Sequence, residues 1–148
     1  MGFGWAKPVP YNPYFLHKNI DELKVAIAGI TANVALAALL AIPLRIANLN
    51  HQIIDDHFYL QVLDAMVNIN LMLAAFNIIP IPPLDGSHFI EYFLSLEQRL
   101  KFMHYGQYVL MAVIFYGIFS GNSIIFRIME PIFRILSLAL KGTYSLNF

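Results

Sequence analysis

Residues 58–93 read FYLQVLDAMVNINLMLAAFNIIPIPPLDGSHFIEYF. The first part, 58–79, is apolar over a length that suits a bilayer crossing. Three prolines then fall within four residues, Pro80, Pro82 and Pro83, and Asp85 and Gly86 follow at once. Proline removes a backbone donor and breaks a helix. In hydrocarbon, irregular backbone survives only where it is buried in protein or lines water. The run 80–86 is therefore expected to border a cavity. Prolines suit such a path because they leave no N–H stranded, and their stiffness fixes where Asp85 points. Gly86 permits a sharp turn or the close approach of another backbone.

Composition agrees with a membrane setting. The chain has 148 residues, of which 59% are hydrophobic and 12% charged, and its mean hydropathy is +0.63. A soluble domain of this size carries more charge. The expected class is an all-α, multi-spanning helical membrane protein with the lipid bilayer as its first partner. Zero net charge gives no nucleic-acid footprint. With no cysteine, disulfides and thiolate metal sites are excluded, so a metal would need His, Asp or Glu. Residues 1–13, MGFGWAKPVPYNP, show no signal-peptide core.

Working outward from the break, one membrane domain is expected over 1–148. Residues 1–22 read as interfacial, with Pro8, Pro10 and Pro13 forcing an extended path and Trp5, Tyr11 and Tyr14 suited to a headgroup belt. The alternatives there are a surface loop and a short edge hairpin. Span 1 is 23–47; Ala28, Gly29 and Ala32 give it a small-residue face for close helix packing, and Asn33 reads as an interhelical hydrogen-bonding group. A polar loop follows over 48–57. Span 2, 58–79, carries Asp64, Asn68, Asn70 and Asn77, and such groups normally face protein or a wet cavity. After the break come a short helix over 86–96, a charged turn over 97–104, and C-terminal helices over 105–120 and 123–140. Arg127, Glu130 and Arg134 recur at spacings of three and four, which makes the last helix amphipathic. Lys7, Lys18, Lys24, Arg99 and Lys101 fall on one side of such a topology and Arg45 on the other. The positive-inside rule then turns the N-terminus and the Pro80–Asp85 break toward the cytosol, consistent with residence in the cell membrane.

The residues alone leave three roles open for Asp85. It caps the following helix, binds an ion at a discontinuous helix, or serves as a hard-oxygen metal ligand with Asn77 as a hydrogen-bond donor to substrate.

The stretch N-x-x-P-x-x-P-L-D-G, here Asn77-Ile78-Ile79-Pro80-Ile81-Pro82-Pro83-Leu84-Asp85-Gly86, resembles the second active-site motif of the site-2 protease family, the intramembrane zinc metalloproteases. GWAKPVPYNP near the N-terminus and AGITANVALA in span 1 are similar to segments of a compact bacterial and archaeal branch of that family. The resemblance runs from Gly4 to about Phe93. It implies zinc as cofactor, Asp85 as the carboxylate ligand and Asn77 as the group that steadies the oxyanion, with Pro80, Pro82, Pro83 and Gly86 supporting the motif. It also implies membrane-protein substrates. In that chemistry zinc polarises the scissile carbonyl and acidifies a water, and a glutamate takes the proton.

The family's first motif, H-E-x-x-H on a helix, does not occur in the 148 residues. The histidines are His17, His51, His57, His88 and His104; none precedes Glu and no two are four apart. His88 lies three after Asp85, at a position the family does not use as a ligand. The expectation is a truncated chain missing its first catalytic helix, with a separate segment supplying H-E-x-x-H as the other possibility. The leading function is thus an intramembrane zinc metalloendopeptidase, incomplete as it stands. The alternative is a non-catalytic membrane binding or scaffold homologue that has lost the metal. A solute carrier fits least, because the paired helix break of an inverted repeat is missing.

Overall fold

The computed structural model describes residues 19–49 and 57–142. These form five helices in chain order: α1 Asn19–Leu49, α2 His57–Asn77, α3 Ser87–Glu91, α4 Leu96–Ser120 and α5 Ile124–Lys141. There is no strand among the described residues, and the all-α membrane class holds. Among the described residues, three stretches are long and apolar enough to cross a membrane: Ile20–Ala47, Phe58–Asn77 and Leu96–Ser120. The expected interfacial path of 1–18 and most of the 48–57 loop lie outside the described residues.

Alanine lets α1 and α2 approach closely. Ala37, Ala41 and Leu44 of α1 are buried with Leu63, Val67, Leu71, Ala75 and Ile79 from α2 and the turn after it. Larger side chains point outward, among them Val25, Leu39 and Ile46 on α1 and Phe115, Ile118 and Phe119 on α4. In water this would be an aggregation surface, whereas in a bilayer it is the lipid-facing coat. The remainder of the core cluster comes from Leu84 of the break, Leu110 of α4 and Ile125, Met129 and Phe133 of α5.

The sequence reading needs correction after the break. The short helix is Ser87–Glu91 rather than 86–96, and 97–104 is not a turn. Those charged residues are the first turns of α4, so the third apolar helix begins at Leu96 instead of 105. A capping box explains it: the Ser95 hydroxyl accepts from Gln98 N (3.4 Å), and the Gln98 side chain accepts from Ser95 N (3.1 Å). Glu97 and Lys101 pair one turn apart at 2.6 Å. Span 2 stops as a helix at Asn77, and α1 begins before residue 23, at Asn19, continuing through Pro43. Asn33 is half-buried and forms no interhelical hydrogen bond among the described residues.

The break between the last two helices falls where expected. Gly121 ends α4 in the left-handed region (φ 66°), and Ser123 caps α5 by accepting from Phe126 N at 3.2 Å. α5 is amphipathic: Ile125, Met129, Phe133, Ser137 and Lys141 form a buried stripe, and Arg127, Glu130 and Arg134 face outward. Pro131 sits on the exposed side without ending the helix. At the end of the stripe the Lys141 ammonium, 3% exposed, meets Asp64 Oδ1 at 2.5 Å and donates to Asn68 Oδ1 at 2.9 Å. Asn68 in turn donates to Asp64 Oδ2 at 3.0 Å. The acid and amide of span 2 thus face protein, as a group in hydrocarbon must.

These contacts orient the bundle. The Arg99 guanidinium at the start of α4 bridges to Glu22 at the start of α1. At the other end Lys141 of α5 reaches the first half of α2, and Gly142 lies beside Arg45 near the end of α1. The N-termini of α1 and α4 therefore share one end with the break, and α2 runs antiparallel to α1.

Candidate active site

The break is a compact loop whose backbone satisfies itself. Ile78 N still donates to Ala74 O (3.1 Å), the last helical bond of α2. Then Ile81 N donates to Ile79 O (2.9 Å), Leu84 N to Ile81 O (2.9 Å) and Ser87 N to Leu84 O (3.0 Å). Pro80, Pro82 and Pro83 have no N–H to place. Almost no donor is left for water to satisfy, which is what membrane depth demands. Ile79, Pro82 and Leu84 turn inward and are buried. The Pro82–Pro83 peptide is cis. Pro82 packs against α4 where Gly106 lies; a β-carbon there would sit 2.5 Å from the Pro82 ring.

The loop closes through Gly86. Its N–H donates to Asn77 O at 2.6 Å, tying the end of α2 to the residue beside Asp85. Gly86 has an ordinary helical φ of −61°, so space and not conformation demands glycine. A β-carbon at this position would meet Ile78 O at 2.2 Å and Ile79 O at 2.7 Å. The Asn77 side chain is half-buried and makes no hydrogen bond among the described residues.

Asp85 lies across from α1. A β-carbon on Gly29 would be 3.2 Å from Asp85 Oδ2, so the carboxylate rests on the small-residue face of span 1. Ala28, Gly29 and Ala32 of that face are exposed. Burial pushes the Asp85 carboxyl above the usual carboxylate range, and nearby His88 pulls it back.

Behind Asp85 stands a polar cluster. Glu91, 2% exposed, accepts from Ser87 Oγ at 2.9 Å and from Arg99 Nε at 3.0 Å. Arg99 continues to Glu22. His88 Nδ1 is buried 3.4 Å from Glu91 Oε2 but makes no hydrogen bond to it, and has no hydrogen-bond partner among the described residues. Glu22, His88 and Glu91 place one donor atom each within 4.8 Å of one another. Both carboxylates already bridge to Arg99, whose one positive charge offsets half of theirs, so this group as arranged holds a guanidinium where a dication would sit. Asp85 fits a zinc site as a single hard-oxygen donor with open space beside Gly29; catalytic zinc takes three protein ligands.

His17 and His51 lie outside the described residues, and His104 is exposed, edge-on to Tyr105 and Tyr108 (5.2 and 5.4 Å). Sequence reasoning missed Glu22, Glu91, Arg99 and Lys141. The i, i+4 pair Ser87/Glu91 was a local signal; Glu22, which Arg99 reaches beyond Glu91, and the partners of Lys141 lie more than seventy residues away and left none.

Comparison with known proteins identifies the family. The family model "Peptidase family M50" matches residues 40–120, more than half of the chain and all of the break. "Putative zinc metalloprotease YwhC" of Bacillus subtilis (strain 168) is 33% identical over 104 residues, covering 68% of this chain. The chain spans about half (48%) of that relative's length. No solved structure matches. The chain belongs to peptidase family M50, the site-2 protease family.

Proposed function

We propose that the chain carries one half of an intramembrane zinc protease site, with Asp85 as a metal ligand and Asn77 as the donor that steadies the oxyanion of an attacked peptide carbonyl. The observation that carries this reading is the placement of Asp85. A proline-stiffened, self-satisfied loop holds a carboxylate against Gly29 on an exposed face of a membrane helix. A carboxylate at a membrane break is costly unless it has work to do.

One donor is too few, so the other two ligands and the general base come from a helix bearing H-E-x-x-H, in a longer form of this polypeptide or on a separate chain. Ala28, Gly29 and Ala32 offer that helix a close seat beside Asp85. When bound, zinc supplies Lewis acidity and an acidified water. This chain's residues do the rest. Gly86 and the prolines hold Asp85 in place, and the Asn77 amide, free of other bonds among the described residues, donates to the developing charge. The substrates are membrane-embedded peptides opened near a helix end. The break faces the cytosol of a cell membrane, supported by the lysine and arginine imbalance.

The test is cleavage of a membrane peptide by the chain supplied with an H-E-x-x-H segment. Cleavage is expected to be chelator-sensitive and abolished by Asp85→Ala. Asn77→Ala is expected to keep the metal and lose roughly 100-fold or more in rate. Cleavage surviving Asp85→Ala overturns the assignment. A non-catalytic scaffold that has lost the metal is the second reading, favoured by the absence of H-E-x-x-H from the 148 residues; inactivity of the supplied complex would select it.

A further inference from the structure

α3 is held in an unusual way. It is five residues long, far below the length at which a helix is stable by itself. Its buried residues are Ser87 and Glu91, both polar, while Phe89 and the following Tyr92 and Phe93 are exposed. The orientation of α3 therefore depends on directional bonds more than on an apolar core. Both Glu91 oxygens are engaged, Oε1 by Ser87 and Oε2 by Arg99. Arg99 carries the link on to Glu22 of α1, the helix on which Asp85 rests. Asp85 is tied into the same unit, since its carbonyl accepts from His88 N at 3.2 Å.

We propose that Glu91, clamped by Arg99 and Ser87, is the positioning residue that sets Asp85 against Gly29, with Glu22 as the anchor of the clamp on α1. The role rests on the reading of Asp85 as a metal ligand for its purpose, but not for its geometry. Buried ion pairs of this kind add little net stability, because desolvation offsets the attraction. They do fix direction, and groups behind a metal ligand govern its affinity for the same reason.

Two arms test this. The chain has no cysteine, so Gly29→Cys with Asp85→Cys creates a single reporter pair across the contact in which a Gly29 β-carbon falls 3.2 Å from Asp85 Oδ2. The cross-link is expected to form readily in the otherwise unchanged chain and to slow in Glu91→Gln, Arg99→Met and Glu22→Gln backgrounds. In the second arm, the complex supplied with H-E-x-x-H keeps Asp85. Zinc affinity, measured by chelator competition, is expected to weaken roughly 10–100-fold in Glu91→Gln, with Arg99→Lys between it and the parent. A merely structural role would reduce the folded yield while leaving cross-linking and zinc affinity of the folded fraction unchanged. Where Glu91→Gln fails to fold, the partly exposed Glu22→Gln decides. Parent-like cross-linking and zinc affinity in every folded variant overturn the proposal. If the parent complex binds no zinc, the ligand reading of Asp85 fails, and the cross-linking arm still judges the clamp.

Discussion

Gly86→Ala probes the break through a single methyl. The new β-carbon would stand 2.2 Å from Ile78 O, 2.6 Å from Ile78 C and 2.7 Å from Ile79 O. All three are backbone atoms, so no side chain can swing away. Reaching even 3.0 Å from Ile78 O needs a retreat of about 0.8 Å. The bond from Gly86 N to Asn77 O, 2.6 Å long, spans the same gap and stretches with it. Overpacking costs about 1–3 kcal/mol, and the lost hydrogen bond about 0.5–1.5 kcal/mol. Because φ is −61°, alanine pays no backbone penalty and regains about 0.4–1 kcal/mol from a less free unfolded chain. The net expectation is a loss of ~1–3 kcal/mol, read as a lower midpoint of thermal unfolding in detergent. The same displacement moves Asp85, so the Gly29→Cys/Asp85→Cys cross-link slows in the Gly86→Ala background. An unchanged midpoint together with unchanged cross-linking would refute the claim that close backbone packing at Gly86 fixes Asp85.

Further expectations concern the ends of the bundle. Reporters fused after residues 22 and 102 should read cytosolic and one after 52 should read opposite; a cytosolic signal at 52 would overturn the orientation. Asp64→Ala leaves the Lys141 ammonium buried without its carboxylate and is expected to cost ~3 kcal/mol in detergent unfolding, with Asp64→Leu/Lys141→Met recovering most of it. A small effect in the single variant would show that the pair is not the tie between α2 and α5. Gly106→Val should push α4 off Pro82, where a β-carbon already falls 2.5 Å from the ring, and lower the unfolding midpoint; an unchanged midpoint would mean that the loop does not lean on α4.

Local chemistry was legible in the sequence and long-range pairing was not. Prolines 80, 82 and 83, three within four residues, announce a helix break where the lone Pro43 and Pro131 do not, and the loop after Asn77 follows from them. Gly86 was read as permitting close approach, and the contact with Ile78 is that approach. The start of α4 was misread because Glu97, Arg99, Lys101 and His104 resemble a solvated turn in composition. The Ser95/Gln98 capping box outweighs that composition, and its S-x-x-Q pattern was present in the sequence. Asp64 and Asn68 were expected to face protein, but their partner, Lys141, is reached only when α5 folds back along α2. The Glu22–Arg99–Glu91 link likewise joins residues that no periodicity relates. As for the site, the motif pointed to Asp85 and Asn77, whereas the contact with Gly29 needed coordinates.

Zinc content tests the proposed site most directly. The chain, purified together with a segment carrying H-E-x-x-H, should hold about one zinc per complex, because three protein ligands then surround the metal. Asp85→Ala in the same complex should release it, and the 148-residue chain alone should retain well under one equivalent. A full equivalent of zinc that survives Asp85→Ala, or that the chain alone binds as tightly as the complex does, would contradict the assignment of Asp85 as the ligand this chain contributes.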